Sequence, residues 1–171
     1  MSSRIPLPYS PVVLEYFRNP KNVGRMENAT VQSTAGSPAC GDMIRLYLRI
    51  EDDLIVEATF ESYGCAANIA AASILTEMIK GKTLKEAWEI KWNDISDKLG
   101  GLPPIKYHCS ILAVGALKRA IRAYYDEVRK EMPNWLPKNL STEEKQTMEE
   151  EELIERMYSR VPKSPGAEGG K

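Results

Sequence analysis

The side chains able to do metal or sulfur chemistry in this chain are few: three cysteines (Cys40, Cys65, Cys109), one histidine (His108) and the acids near them. Each cysteine stands in a segment that reads as a loop or an element end, where a rigid scaffold presents functional groups. The first segment is Gly36-Ser37-Pro38-Ala39-Cys40-Gly41-Asp42. Two glycines, a proline and a serine ahead of a strand predict a loop of unusual backbone shape. Cys40 and Asp42 are two residues apart, so an extended backbone points both side chains the same way. Gly41 between them admits close approach of a guest. A carboxylate buried there is costly unless it is charge-paired or metal-bound. The second segment is Tyr63-Gly64-Cys65-Ala66-Ala67-Asn68, where a strand gives way to a helix. A helix N-terminus favours thiolate over thiol, which makes Cys65 a candidate ligand and nucleophile. The third is Leu102-Pro103-Pro104-Ile105-Lys106-Tyr107-His108-Cys109-Ser110, again ahead of a helix.

Three thiolates, a carboxylate and an imidazole suit iron–sulfur clusters or zinc. No C-x2-C pair exists, and the gaps of 25 and 44 residues leave the gathering of these groups to the fold. Ordinary readings stand beside this one. A free cysteine is usually a small buried hydrophobe, and a lone histidine is more often structural than a ligand. Lys106 either stabilises a thiolate or is a solvated surface lysine. The loop-end setting shared by all three cysteines weighs against the ordinary reading for the set.

The elements that must position these groups are legible in the hydrophobic periods. Ser10-Pro11 opens a short helix that Asn19-Pro20 stops. Asp42–Ile50 alternates, with Ile44, Leu46, Leu48 and Ile50 on one side and Met43, Tyr47 and Arg49 on the other, as in a half-buried strand. After the turn at Glu51-Asp52-Asp53, Leu54–Ser62 follows with Val56, Ala58 and Phe60 inward, forming an antiparallel hairpin. A weaker strand near Thr30–Thr34 completes a three-stranded sheet. Helices are expected over Ala66–Lys80, from the capping box at Thr83, after Asn93, and over Ser110–Lys130. Strands first and helices afterwards predict an α+β fold, a three-stranded antiparallel sheet with helices packed on one face, plus a C-terminal helical extension. The domain division is 1–130 and 131–171, the latter a linker, a charged helix over about 142–159 and a disordered end at Gly166–Lys171. For that helix, a solvated charged face is favoured over a partner-binding one.

Composition narrows the function classes. With 171 residues and a net charge of −1, the chain is expected to bury a core without disulfide or metal. Residues 1–130 carry 17 Lys and Arg against 15 Asp and Glu, too balanced for nucleic-acid binding. No apolar run is long enough to span a membrane, and the first residues do not read as a secretory signal. An odd, small cysteine count then points to the reducing cytoplasm.

Cys40-Gly41-Asp42, Gly64-Cys65 and Leu102–Ser110, in that order, resemble the IscU/NifU-type iron–sulfur cluster assembly scaffolds, as do Tyr9-Ser10 and Asn19–Gly24. The resemblance runs from about Tyr9 to Val128. It implies a non-enzymatic scaffold that takes sulfur from a cysteine desulfurase and iron from a donor, builds a [2Fe–2S] cluster and passes it to apo-proteins. Cys40, Cys65 and Cys109 would be cluster ligands, with Asp42, or alternatively His108, completing the set and Lys106 supporting it. Cys109 would be the persulfide acceptor. Leu102–Lys106 resembles a segment read by an Hsp70-type chaperone, with Ile105 where the family usually has Val. A homodimer is expected, because an exposed cluster is better protected between two subunits.

Mixed ligation would make the cluster transferable, since a carboxylate is a harder ligand that can protonate or swing away. Asp42 is preferred to His108 because it shares a strand-entry loop with Cys40. The alternative function is a zinc-dependent sulfurtransferase with Zn²⁺ on the same residues, and zinc is also a candidate occupant of the cluster-free scaffold. A Cys–His hydrolase is disfavoured, because neighbouring side chains at a helix start are expected to diverge and no oxyanion motif is evident.

Overall fold

A computed structural model of the chain describes residues 9–37 and 41–160. Three antiparallel strands, β1 (Val31–Ser37), β2 (Asp42–Glu51) and β3 (Leu54–Tyr63), form one sheet in the order β1-β2-β3. Around it run six α-helices among the described residues: α1 (Pro11–Arg18), α2 (Ala66–Ile79), α3 (Leu84–Trp88), α4 (Trp92–Lys98), α5 (Tyr107–Ala123) and α6 (Thr142–Ser159). The α+β expectation holds. Cys40 and Gly166–Lys171 lie outside the described residues.

Alternation along β2 places Ile44, Leu46, Leu48 and Ile50 on the face that receives α2 and α5, and all four are buried. Met43 and Tyr47, expected on a solvated face, are buried too. The half-buried reading of β2 is therefore corrected. β2 is the central strand, so both of its flanks are occupied; across the sheet Tyr47 pairs with Gln32 and Thr59, and its hydroxyl donates to Glu61. β3 needs a second correction. The pairing shifts between Arg49 and Ile50, from Arg49 opposite Glu57 to Ile50 opposite Ile55. That bulge leaves Val56 as the extra residue, so Ile55 takes the core position expected of Val56. The free edge of β3 is covered by the Asn19–Gly24 loop: Phe60 donates to the Asn22 carbonyl and accepts from Gly24. That covering removes an exposed edge.

The final core helix starts earlier than Ser110. A 3₁₀ turn over Pro104–Lys106 leads directly into α5 at Tyr107. Ser110 accordingly stands inside the first turn and a half. Beyond Ala123 the helix widens into a π-helical stretch, Tyr124–Arg129, and ends at Lys130 with φ +56°.

A capping box opens the expected charged helix: Glu144 N–H donates to Ser141 Oγ, and Ser141 N–H to Glu144 Oε2. The helix it starts is not solvated, however. α6 lies along α5, with Glu143, Glu144 and Thr147 buried. Lys118 faces Glu143 at 3.3 Å, Arg122 faces Glu144 at 2.8 Å and Arg119 faces Glu151 at 2.9 Å. The Lys118–Glu143 pair is nearly inaccessible, so removing one partner would cost about 3–5 kcal/mol by stranding the other charge. The charges that suggested a solvent face instead match three cations of α5. No helix of the described residues is long and apolar enough to cross a membrane.

Gly115 marks the closest approach: a Cβ there would lie 2.4 Å from Thr147 Oγ1 and 3.3 Å from the Glu143 carbonyl oxygen. Gly115→Val is expected to destabilise the fold by about 1–3 kcal/mol through overpacking, read as a lower urea midpoint. Helix propensity alone would favour the variant by a few tenths of a kcal/mol, so an unchanged or raised midpoint would show that α6 is not docked there.

Candidate metal centre

Four elements converge at one end of the sheet. β2 begins with Asp42, α2 is capped at its N-terminus by Cys65, and the first turn of α5 carries His108 and Cys109. Lys106 ends the 3₁₀ turn just before α5. The start of β2 can meet the start of α2 because Met43 pairs with Tyr63, which brings the end of β3 alongside. Gly64 fits the contact, since a Cβ on it would fall 2.1 Å from Asp42 Oδ1. Asn68 holds the corner. Its amide donates to the carbonyls of Met43 and Tyr63 and to Ser62 Oγ, so the α2 N-terminus is fastened to both strands.

Asp42 is the hub. Its Oδ1 accepts from the Cys65 amide at 3.3 Å, and its Oδ2 lies 2.7 Å from His108 Nε2. The other ring nitrogen, Nδ1, faces the Ile105 carbonyl at 3.2 Å. Because a carboxylate only accepts, the 2.7 Å contact places a proton on Nε2, and a metal can take this nitrogen only once that proton has left and Nδ1 donates to the Ile105 carbonyl. Cys109 Sγ is 3.6 Å from His108 Nε2 and 3.6 Å from Cys65 Sγ. The Asp42, His108 and Cys109 ligand atoms all lie within 4.8 Å of one another.

The expected site residues Asp42, Cys65, His108 and Cys109 are thus brought together, and Lys106 reaches the Cys65 sulfur. Cys40 precedes Asp42 by two residues and lies outside the described residues. Two expectations are corrected. Cys109 does not precede the helix: it is in the first turn of α5 and fully buried. His108 and Cys109 do not diverge: with Nδ1 facing the Ile105 carbonyl, Nε2 lies 3.6 Å from the Cys109 sulfur.

The two described thiols are electrostatically unlike. Cys65 is lowered to about 5, chiefly because Cys109 donates its S–H to the Cys65 sulfur. The Asn68 amide and Lys106 help, while burial and Asp42 oppose. Cys109 is correspondingly raised, by that same hydrogen bond and by burial. The contact between the two sulfurs thus favours thiolate on Cys65 and thiol on Cys109. The Cys65 charge in turn holds Lys106 above the ordinary lysine value.

Three neighbours escaped the sequence reading. The Tyr9 hydroxyl reaches the Cys65 sulfur and is raised by burial and by that charge. Its membership of the Tyr9-Ser10 motif was the available signal. Asn68 is a buried amide three residues after Cys65 inside a run of alanines, which was a readable anomaly. Glu150 of α6 is open at its surface, yet its carboxyl is pushed up by lost hydration and by the charges of Asp42 and Glu151, with His108 opposing. No local pattern placed α6 here.

The fold agrees with comparisons to known proteins. The family model for the NifU-like N-terminal domain matches residues 8–131, and the chain belongs to that family. An iron–sulfur cluster assembly scaffold protein IscU of Archaeoglobus fulgidus is 47% identical over 117 residues, covering 68% of this chain and 76% of that protein. The scaffold protein IscU of Escherichia coli K12 is 46% identical over 120 residues, 68% of this chain and 93% of that protein. Among solved structures, a scaffold protein for the SUF system from Fervidobacterium islandicum superposes with a TM-score of 0.56 at 28% identity, covering 66% of this chain and 96% of that one. A NifU-like N-terminal protein from Brucella abortus shares the fold at a TM-score of 0.57 and 19% identity, over 71% of this chain and 96% of that one.

The coupling of the two thiols sets a pH test. Alkylation of Cys65 in the metal-free protein should rise with a midpoint near 5, while Cys109 stays unreactive at neutral pH. In Cys109→Ala the S–H donor is gone, so the Cys65 midpoint should move up toward the ordinary thiol range. An unmoved midpoint would mean that Cys109 is not the source of the low value.

Proposed function

We propose that this protein is a scaffold on which a [2Fe–2S] cluster is assembled from iron and desulfurase-derived sulfur and from which it passes to apo-proteins. The observation that carries this reading is the meeting of Asp42, Cys65, His108 and Cys109 at one end of the sheet, in a chain whose relatives are named as cluster assembly scaffolds. The zinc sulfurtransferase alternative finds no support in those relatives. The cluster is cargo and the chain is not an enzyme; its residues bind, release and accept sulfur.

In this reading Cys40, Cys65 and Cys109 hold iron through sulfur, and Asp42 is the fourth ligand, with His108 the alternative. Asp42 and His108 restrain one another before loading, so iron must break a hydrogen bond to recruit either. The oxygen ligand is the weak point through which the cluster leaves. The Asp42–His108–Cys109 set can also accept zinc in the cluster-free form. Residues 1–130 form the scaffold domain and 131–171 an addition to it. Free thiols at the centre suit a cytoplasmic, reducing setting. The partners are a cysteine desulfurase, apo iron–sulfur proteins, a second copy of the chain and an Hsp70-type chaperone at Leu102–Lys106. In that segment Ile105 is 80% exposed while Leu102 is buried, which suits a reader of the apolar tip.

Sulfur arrives by thiolate attack on the donor's terminal persulfide sulfur: a new S–S bond forms, the donor's breaks, and the donor leaves as thiolate. Cys109 is the acceptor expected from sequence. The resting electrostatics favour Cys65, which carries the charge and is half-exposed. Sulfur therefore enters on Cys65, and reaches Cys109 only once the first turn of α5 has opened.

Two measurements test this. Mass spectrometry after brief incubation with a desulfurase and cysteine should show added sulfur first on Cys65; early sulfur on Cys109 alone would overturn that order. Asp42→Ala, reconstituted anaerobically, should keep its visible cluster absorption but slow transfer to an apo-ferredoxin severalfold. Unchanged transfer would remove Asp42 from its role.

A further inference from the structure

α6 lies wholly beyond residue 131, where the family match ends, yet it is tied to the frame of the metal centre. The tie is Glu151. Its Oε1 accepts from the Gly36 backbone N–H at 2.8 Å and from Arg119 Nη1 at 2.9 Å, and its Oε2 accepts from Arg119 Nη2 at 2.9 Å. Arg119 Nη1 also donates to the Thr34 carbonyl at 2.8 Å. One carboxylate thereby joins α6, α5 and the end of β1. Such fork-to-fork pairing is stronger and more directional than an ordinary surface ion pair, and both side chains are mostly shielded.

Gly36 passes this restraint to the centre. Its φ is +80°, and its Cα lies so close to β2 that a Cβ would fall 2.3 Å from the Asp42 carbonyl oxygen. In the β1–β2 register Ser37 stands opposite Asp42 and Gly36 opposite Met43. Arg119 belongs to the helix whose first turn carries His108 and Cys109. The backbone that carries Asp42 and the helix that carries its partners are thus held to each other by a side chain from outside the matched domain.

We infer that Glu151 is a positioning residue for the centre. It keeps Asp42 opposite His108 and the Cys65 amide, and so slows the swing of Asp42 that lets the cargo leave. This rests on the scaffold reading above. The extension then sets how long this chain retains a cluster, without touching the iron.

The test uses the full-length chain with Glu151→Ala, Glu151→Gln and, as a control, Glu149→Ala, which removes an exposed charge from the same turn. In the metal-free protein, hydrogen exchange at Gly36, Asp42 and Met43 should quicken about fivefold in Glu151→Ala, with α2 and α3 unchanged. Glu151→Gln keeps an acceptor for Gly36 but loses the charge, and should fall between. Glu149→Ala should match the wild type. After anaerobic reconstitution, Glu151→Ala should hold the same visible absorption per chain but transfer its cluster to an apo-ferredoxin faster, by a similar factor. Unchanged exchange at the hairpin, acceleration spread over the whole protein, or faster exchange with unaltered transfer would each overturn the inference. A wild type that accepts no cluster would defeat the scaffold reading instead, and hairpin exchange would still decide whether Glu151 holds Asp42.

Discussion

The arrangement depends on one carboxylate. Asp42 accepts from the Cys65 amide with one oxygen and faces His108 Nε2 with the other, so the starts of β2, α2 and α5 share a single anion. Without it the α2 N-terminus would lose an acceptor for an end amide, and the imidazole would lose the partner that orients it. The neighbouring sulfurs would stay near, since Cys109 is buried in α5, but the oxygen face of the centre would be open. A group with this many obligations is held firmly until something better than hydrogen bonds competes for it. Iron is such a competitor.

The sulfur side follows a different principle. Cys65 and Cys109 are coupled by the hydrogen bond between them, and with burial added on the Cys109 side the enclosed sulfur favours thiol while the sulfur at the helix end favours thiolate. Lys106 and the Tyr9 hydroxyl then gather about the charged sulfur from two separate segments. Carboxylate and thiolate both lie at the centre before any metal does, each balanced by groups able to release it.

Much of this was legible in residue order. The strand at β2, the Thr83 cap on the Glu86 N–H and the helix start after Gly64 each follow from local chemistry and formed. The Glu86 carboxylate, however, accepts from the Thr83 hydroxyl rather than closing the expected capping box on its N–H. The three cysteine segments carried their own signals: glycine and proline around a thiol. What stayed hidden depends on distant partners. The bulge at Arg49/Ile50 exchanges Val56 for Ile55 because of cross-strand register, which a single strand does not encode. Tyr47 is buried because β2 is flanked on both edges. The acids of α6 looked like a solvent face because their cations sit 22 to 32 residues earlier, on another helix. The first turn of α5 was read as loop because two prolines usually break a helix, and here they start a 3₁₀ turn that feeds one.

The seam between α5 and α6 is built largely from charge. Lys118, Arg119 and Arg122 meet Glu143, Glu151 and Glu144, with Trp88 stacked beneath two of the cations. A helix fastened by grease leaves a sticky scar when it lifts, and such scars invite aggregation. One fastened by ions uncovers groups that water welcomes. Detachment of α6 would therefore be a clean, repeatable event, easier in brine than in dilute buffer, and the bared surface would be basic.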